Sequence, residues 1–316
     1  MKNIICIAGP TASGKTDLSI ALAKELDGEI ISCDSMQVYR YMDIGTAKPT
    51  PAERANIPHY MLDVADPNDA FSVSRYCQMA TPILEDIIAR GKTAIVVGGT
   101  GLYMDALIRG NAFAPYPATG RREELEAIAA TQGIEKVIEM LRKVDPESAA
   151  RLHPSDQKRI IRAIEVYLET GKSITQHNLE TQAVPPRFRA TWFALQDENR
   201  QDLYARIDRR VDKMLEMGLL DEINSLFQMG ISEKATAMQA IGYKEFTDYM
   251  AGNCSLDEAV AQVQQSSRHY AKRQLTWFRK NPQIHWLTRK PGQETCEILQ
   301  TLRQVLGEID NEAVVT

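Results

Sequence analysis

Apolar residues fall into two rhythms over the first hundred positions. Ile4-Ile5-Cys6-Ile7-Ala8, Glu29-Ile30-Ile31-Ser32-Cys33 and Thr93-Ala94-Ile95-Val96-Val97 are short, nearly continuous apolar runs bounded by glycine or polar clusters. Such runs predict strands buried on both faces. Between them, Leu18, Leu22 and Leu26 recur at helical spacing, as do the apolar positions of Val73–Arg90, and that period predicts helices. A further strand is predicted near His59–Val64. Alternating strands and helices predict an α/β fold, with a parallel sheet covered by helices on both faces.

Pro115 and Pro117 interrupt the rhythm. From Arg121 to about Asn178 the spacing is helical throughout, and Pro185-Pro186 closes this stretch. A strand returns at Arg189–Leu195, helices follow from Leu203, a long helix is predicted over Leu256–Lys280, and Ile284–Leu287 reads as a last short strand. The pattern predicts an α/β core in two parts, 1–115 and a mostly helical 187–316, interrupted by an all-helical insertion at 116–186. No repeat or low-complexity tract is evident.

Composition narrows the class. A 44% hydrophobic share over 316 residues is ordinary for a globular chain, and no apolar run reaches membrane length. The chain opens on a predicted strand, so no signal peptide is expected. The cysteines Cys6, Cys33, Cys77, Cys254 and Cys296 are odd in number and never in C-x-x-C spacing. They read as reduced thiols in a cytoplasmic protein, without a zinc site. The net charge is −5, which argues weakly against nucleic acid. Charge is nonetheless uneven: from Ala259 to Gln293 there is no Asp or Glu, while Arg268, Lys272, Arg273, Arg279, Lys280, Arg289 and Lys290 are basic. Lys158, Arg159 and Arg162, with Arg151 nearby, form a second basic cluster. Both suit RNA phosphates and equally a solvated helix face.

The first apolar run enters Gly9-Pro10-Thr11-Ala12-Ser13-Gly14-Lys15-Thr16. This is the G-x-x-x-x-G-K-[ST] pattern of a phosphate-gripping loop: backbone N–H groups face an anion, Lys15 adds a point charge, and the Thr16 hydroxyl suits Mg²⁺. The helix that follows presents its positive end to the phosphates. The plainer alternative is a glycine-rich strand-to-helix turn. Ligands of open α/β sheets lie beyond the carboxyl ends of the strands, where Asp34 and Gly98-Gly99-Thr100-Gly101 also arrive. Asp34 in that position suits a metal ligand, a general base or a helix cap. Arg206 and Arg210 share a helix face and suit a two-armed anion clamp, against the blander expectation of pairing with Asp202 or Asp208.

In this order and spacing, GPTASGKT, DSMQVYRYMDIGTAKP, VGGTGLY, HPSDQKRIIRAIEVY, QAIGYKE and KRQLTWFRK closely resemble the tRNA dimethylallyltransferases, also called tRNA isopentenylpyrophosphate transferases. The resemblance runs from Ile4 to about Trp286. One departure is Tyr41, where members usually carry glycine. The resemblance implies a core related to nucleotide kinases, with a helical insertion and a channel through the core. It implies transfer of a dimethylallyl group from its diphosphate to N6 of the adenine immediately 3′ of the anticodon, so the loop at 9–16 grips that diphosphate.

It further implies Asp34 as base, Lys15, Thr16, Mg²⁺ and Arg210 around the leaving diphosphate, and Thr100 beside the transferred group. The tRNA contacts it implies fall on Asp34, Ser35, Met36, Gln37, Thr100, Arg122, Lys158, Arg159, Ile160, Ile161 and Arg162, and on Gln239, Ala240, Ile241, Gly242, Tyr243 and Lys244. The expected partners are the anticodon stem-loop of tRNA and dimethylallyl diphosphate, with no membrane, and the expected state is a monomer. Two other readings compete: an ATP-dependent small-molecule or nucleotide kinase, with Asp34 accepting a hydroxyl proton, and a phosphate-gripping RNA-binding module without chemistry.

Overall fold

The computed structural model describes residues 4–110 and 119–315. The chain divides into two compact units, Met1–Gly110 with Arg187–Thr316, and Asn111–Pro186. The boundary expected at 115/116, and the proline break that suggested it, lie outside the described residues.

The first unit holds strands β1 (Ile4–Ala8), β2 (Gly28–Ser32), β3 (His59–Tyr60), β4 (Thr93–Gly98), β5 (Ala190–Asp197) and β6 (Ile284–Arg289). They form one sheet in the order β3-β2-β4-β1-β5-β6, and every pairing is parallel. β1, β2 and β4 are buried at every position, as continuous apolar strands of parallel sheets must be. The α/β expectation therefore holds. In this unit the helices are α1 (Lys15–Glu25), α2 (Val73–Ala89), α3 (Gly101–Arg109), then α9 (Arg200–Glu216), α10 (Leu219–Gln228), α11 (Tyr243–Met250), α12 (Leu256–Phe278) and α13 (Thr295–Val315). Leu18 and Leu22 of α1, Ile5 and Ile7 of β1, Ile95 of β4, Phe193 of β5 and Leu302 of α13 share one core.

β3 is shorter than the expected His59–Val64. Met61 and Asp63 take left-handed φ values of 63° and 58°, which a strand cannot contain. The turn brings Asp63 to the buried Lys48 ammonium at 2.6 Å. The chain still runs beside the loop after β2, with the Val64 N–H donating to the Val38 carbonyl at 2.8 Å.

The second unit holds α4 (Arg121–Gln132), α5 (Ile134–Val144), α6 (Pro146–Arg151), α7 (Gln157–Thr170) and α8 (Ile174–Ala183). Leu125, Val137, Ile138, Leu141, Ile160, Ile161, Ala163 and Ile164 form its core. Where the first unit resumes, the Arg187 N–H donates to the Arg109 carbonyl at 3.1 Å.

Candidate active site

β2, β4 and β1 are neighbours in the sheet, so the loops leaving their carboxyl ends lie side by side. These loops carry Asp34, Thr100 and residues 9–16. Gly98 is obligatory here, because a Cβ would fall 1.9 Å from the Cys33 carbonyl oxygen. That close approach lets the Thr100 N–H donate to the Cys33 carbonyl at 3.2 Å.

In the grip, Gly14 caps α1 in a left-handed conformation. The Lys15 ammonium donates to the Pro10 carbonyl at 2.6 Å, which folds it over the loop. Burial, reinforced by Arg210 and opposed by Asp34, pulls Lys15 down to about 7. The Arg210 guanidinium is itself lowered by burial, against the charges of Asp34 and Glu53. Among the described residues neither Arg210 nor the Thr16 hydroxyl has a hydrogen-bond partner in the protein, and the Ser13 hydroxyl is buried without one. The loop is braced from outside. The Thr11 N–H donates to Gln274 Oε1 at 2.8 Å, and Arg206 Nε donates to the Ala12 carbonyl at 2.9 Å.

Arg206 corrects the sequence expectation. Its guanidinium grips both oxygens of Asp197 at 2.7 Å, rather than Asp202, Asp208 or a ligand. Asp208 instead takes Arg268 at 2.5 Å. Asp197 ends β5, where the α9 helix returns over the sheet, so Arg206 ties α9 to β5 and to the grip. Arg206 therefore does not pair with Arg210 as a two-armed clamp.

Asp34 closes a turn, with no helix following it to cap, and keeps one carboxylate oxygen open. Its Oδ1 accepts the N–H groups of Met36 at 2.8 Å and Gln37 at 3.3 Å. Among the described residues its second oxygen has no partner. Thr100 Oγ1 accepts the Ser35 N–H at 3.1 Å, tying the two loops together. Tyr270 of α12 lies against Thr100 and Gln274, and burial with the Asp34 charge pushes its phenol up to about 12. Lys15, Arg210, Asp34 and Tyr270 thus share one electrostatic neighbourhood.

The DIGTAKP loop is held by Glu222, which the sequence did not single out, together with Tyr243, Lys48 and Gln37 of the quoted motifs. Glu222 accepts the N–H groups of Asp43 and Ile44 at 2.8 Å and of Gly45 at 3.1 Å, and the Tyr243 hydroxyl at 2.6 Å. The buried Lys48 ammonium donates to the Tyr39 carbonyl at 2.8 Å and to Asp43 at 2.6 Å, besides Asp63. Gln37 joins this loop to the one after β2: its amide donates to the Thr46 and Ala47 carbonyls at 3.2 Å and accepts from Ser32. Tyr243 and Ala240 are buried, while Gln239 and Lys244 are exposed.

The donor set suits magnesium and not a softer metal. Among the described residues no three His, Cys, Asp or Glu gather as a metal cluster. What the site offers is hard oxygen: the Thr16 hydroxyl and the second oxygen of Asp34. Mg²⁺ takes most of its ligands from substrate phosphates and water, with one or two protein oxygens.

In the second unit, a cavity of about 610 Å³ is lined by Arg122, Arg151, Lys158, Arg159 and Arg162 around Leu152, Ile161, Ala163 and Ile174, with Glu126 the acidic member. Glu165 holds Arg122 at 2.8 Å and Arg162 at 2.7 Å. Burial pushes Glu165 up, and these two hydrogen bonds outweigh it and keep the carboxyl below its ordinary range. Lys158 and Arg159 are exposed, whereas Ile160 and Ile161 are 0% and 2% exposed. The two isoleucines therefore build the unit's core instead of its outer face, although Ile161 reaches the cavity floor. No helix among the described residues is long and apolar enough to cross a membrane.

Residues 37–281 match the family model for IPP transferase. The chain is 47% identical to tRNA dimethylallyltransferase 1 of Pelobacter propionicus, over 91% of this chain and 93% of that protein. It is 44% identical to the tRNA dimethylallyltransferase of Acetivibrio thermocellus, over 97% and 98%. Among solved structures, the full-length tRNA isopentenylpyrophosphate transferase of Bacillus halodurans superposes with a TM-score of 0.74 at 40% identity, covering 100% of this chain and 99% of that one. A eukaryotic dimethylallyltransferase acting on tRNA gives 0.77 at 33% identity, over 91% and 74%. A parallel sheet with a braced loop at 9–16, together with similarity over nearly its whole length, makes this chain a member of the tRNA dimethylallyltransferase family of prenyltransferases.

Proposed function

We propose that this protein transfers the dimethylallyl group of dimethylallyl diphosphate to the exocyclic N6 of the adenosine immediately 3′ of the anticodon in tRNA. The observation that carries this reading is the meeting of a phosphate grip, a cation without a protein partner (Arg210) and a carboxylate with one unengaged oxygen (Asp34) at neighbouring strand ends.

The exocyclic amine of adenine is a poor nucleophile, because its lone pair is drawn into the ring. As N6 bonds to the terminal carbon of the dimethylallyl group, the carbon–oxygen bond to the diphosphate breaks, and one amine proton must leave. The second oxygen of Asp34 accepts it, while Oδ1 stays engaged with the Met36 and Gln37 amides and holds the side chain still. The diphosphate leaves with the bonding electrons. Grip N–H groups, Lys15 and Arg210 stabilise that growing charge in a site shielded from water. Thr16 would hold Mg²⁺, with Asp34, Thr100 or water as the next contact; when bound, the ion neutralises diphosphate oxygens. Thr100, fixed by the Ser35 amide, lies beside the transferred group or its bridging oxygen.

The adenine must leave its stack to reach such a site, so the base is flipped. Specific reading of an unstacked loop base is the usual mode for RNA. Lys158, Arg159, Arg122 and Arg162 around the basic cavity of the helical unit hold phosphates of the anticodon arm. Gln37 contributes by shaping its loop, since its amide is already committed to Thr46 and Ala47.

Asp34→Asn tests the assignment. The amide retains an oxygen for the Met36 and Gln37 N–H groups but accepts no proton. Single-turnover transfer should slow by about 10²–10⁴-fold, with tRNA affinity within a few-fold of wild type. Near-normal transfer would remove Asp34 from the base role.

A further inference from the structure

One face of α12 presents Tyr270, Gln274 and Trp277 to the VGGTG loop. Trp277 Nε1 donates to Asp105 at 2.8 Å, and its indole lies 2.2 Å from where a Gly101 Cβ would stand. Tyr270 lies against Thr100. Gln274 does more, because it touches two loops. Its Oε1 accepts the Thr11 N–H of the grip at 2.8 Å, and its Nε2 donates to the Gly99 carbonyl at 3.0 Å. The side chain is 5% exposed. A backbone N–H on one side and a carbonyl on the other leave the amide a single orientation. Both partners are main-chain atoms, so apart from proline at position 11 no side-chain substitution in either loop removes them. A Cβ on Gly99 would fall 2.0 Å from Nε2, so this amide fixes how near the loop comes to α12.

We propose that Gln274 is a positioning residue that sets the gap between the diphosphate grip and Thr100, each half of its amide serving one of them. This rests on the function proposed above. A displacement at carbon needs donor and acceptor held in line, and small misplacements are costly. The acceptor half shapes the grip, so its loss weakens diphosphate binding. The donor half places Thr100 and the strand end beside Asp34, so its loss slows the chemical step.

Two variants separate the halves. Gln274→Met keeps the volume and makes neither hydrogen bond. Gln274→Glu keeps an acceptor for Thr11 and turns an oxygen toward the Gly99 carbonyl. With Gln274→Met, the KM for dimethylallyl diphosphate should rise about ten-fold and kcat fall about ten-fold, with the KM for tRNA unchanged. With Gln274→Glu, the diphosphate KM should return to near the wild-type value while kcat stays low. Binding of inorganic pyrophosphate, followed by calorimetry without tRNA, should be about ten-fold weaker in Gln274→Met. That readout needs no turnover, so it tests Gln274 even if the wild type fails to prenylate tRNA, a result that would overturn the function alone. Unchanged kcat in both variants, or a loss confined to the KM for tRNA, would overturn the positioning role. Should Gln274→Met fail to fold, Gln274→Glu decides: a lowered kcat at an unchanged diphosphate KM supports the role, and an unchanged kcat overturns it.

Discussion

Lys15 shows what the fold does to a single residue. A free lysine is charged at neutral pH, but here burial and Arg210 bring the group to about 7. The folded chain therefore binds fewer protons than the unfolded chain between about 7 and the ordinary value of 10.5, so this group makes stability rise with pH through that window. A diphosphate reverses the balance, because its charge favours the ammonium. At about pH 8, pyrophosphate binding should draw a proton onto Lys15. Calorimetry in buffers of different ionisation enthalpy should show more proton uptake in the wild type than in Lys15→Met; equal exchange in the two would contradict the assignment. Lys15, Thr16 and Asp34 were legible in the sequence because a motif and a strand end mark them. The roles of Glu222 and of Gln274, the latter inside KRQLTWFRK, were not: each is one polar residue on a helix, and its partners include main-chain atoms 179 and 175 positions away. Arg206 was misjudged for a related reason, since Asp197 lies on the preceding strand and not on the helix face that spacing reveals.

At the scale of elements, periodicity located nearly every strand and helix of the core, and the departures have local causes. β3 ends early because two residues with positive φ turn the chain toward Lys48. The DIGTAKP loop is held in shape chiefly by α10, where one carboxylate answers three successive amides. Glu222→Gln offers one acceptor oxygen in place of two and sets an NH₂ group against donors. The variant should lose about 1–3 kcal/mol of stability. Amide hydrogen exchange at Asp43, Ile44 and Gly45 should accelerate, while exchange in β1 and β4 follows only the global change. Unchanged protection at these three amides would show that the loop holds itself.

At the scale of the molecule, an acidic chain carries a concentrated basic surface. The helical unit gathers five cationic side chains about one cavity, against a single acidic one, although the whole protein has a net charge of −5. Total charge concealed this, and the sequence clusters alone left RNA binding and a solvated face equally open. Lys158→Glu with Arg159→Glu should weaken tRNA binding by about ten-fold or more and make its salt dependence shallower; an unchanged salt slope would take this surface out of the RNA interface. The proposed chemistry requires the loop at 9–16 to hold a prenyl diphosphate for transfer to RNA. Its most direct test is mass spectrometry of nucleosides from an unmodified tRNA with adenosine 3′ of its anticodon, after incubation with the protein, Mg²⁺ and either dimethylallyl diphosphate or ATP. A single prenyl group on adenosine is expected with the prenyl diphosphate and no need for ATP. Unmodified adenosine, with ADP formed when small-molecule acceptors are added, would contradict it and make the site that of a kinase.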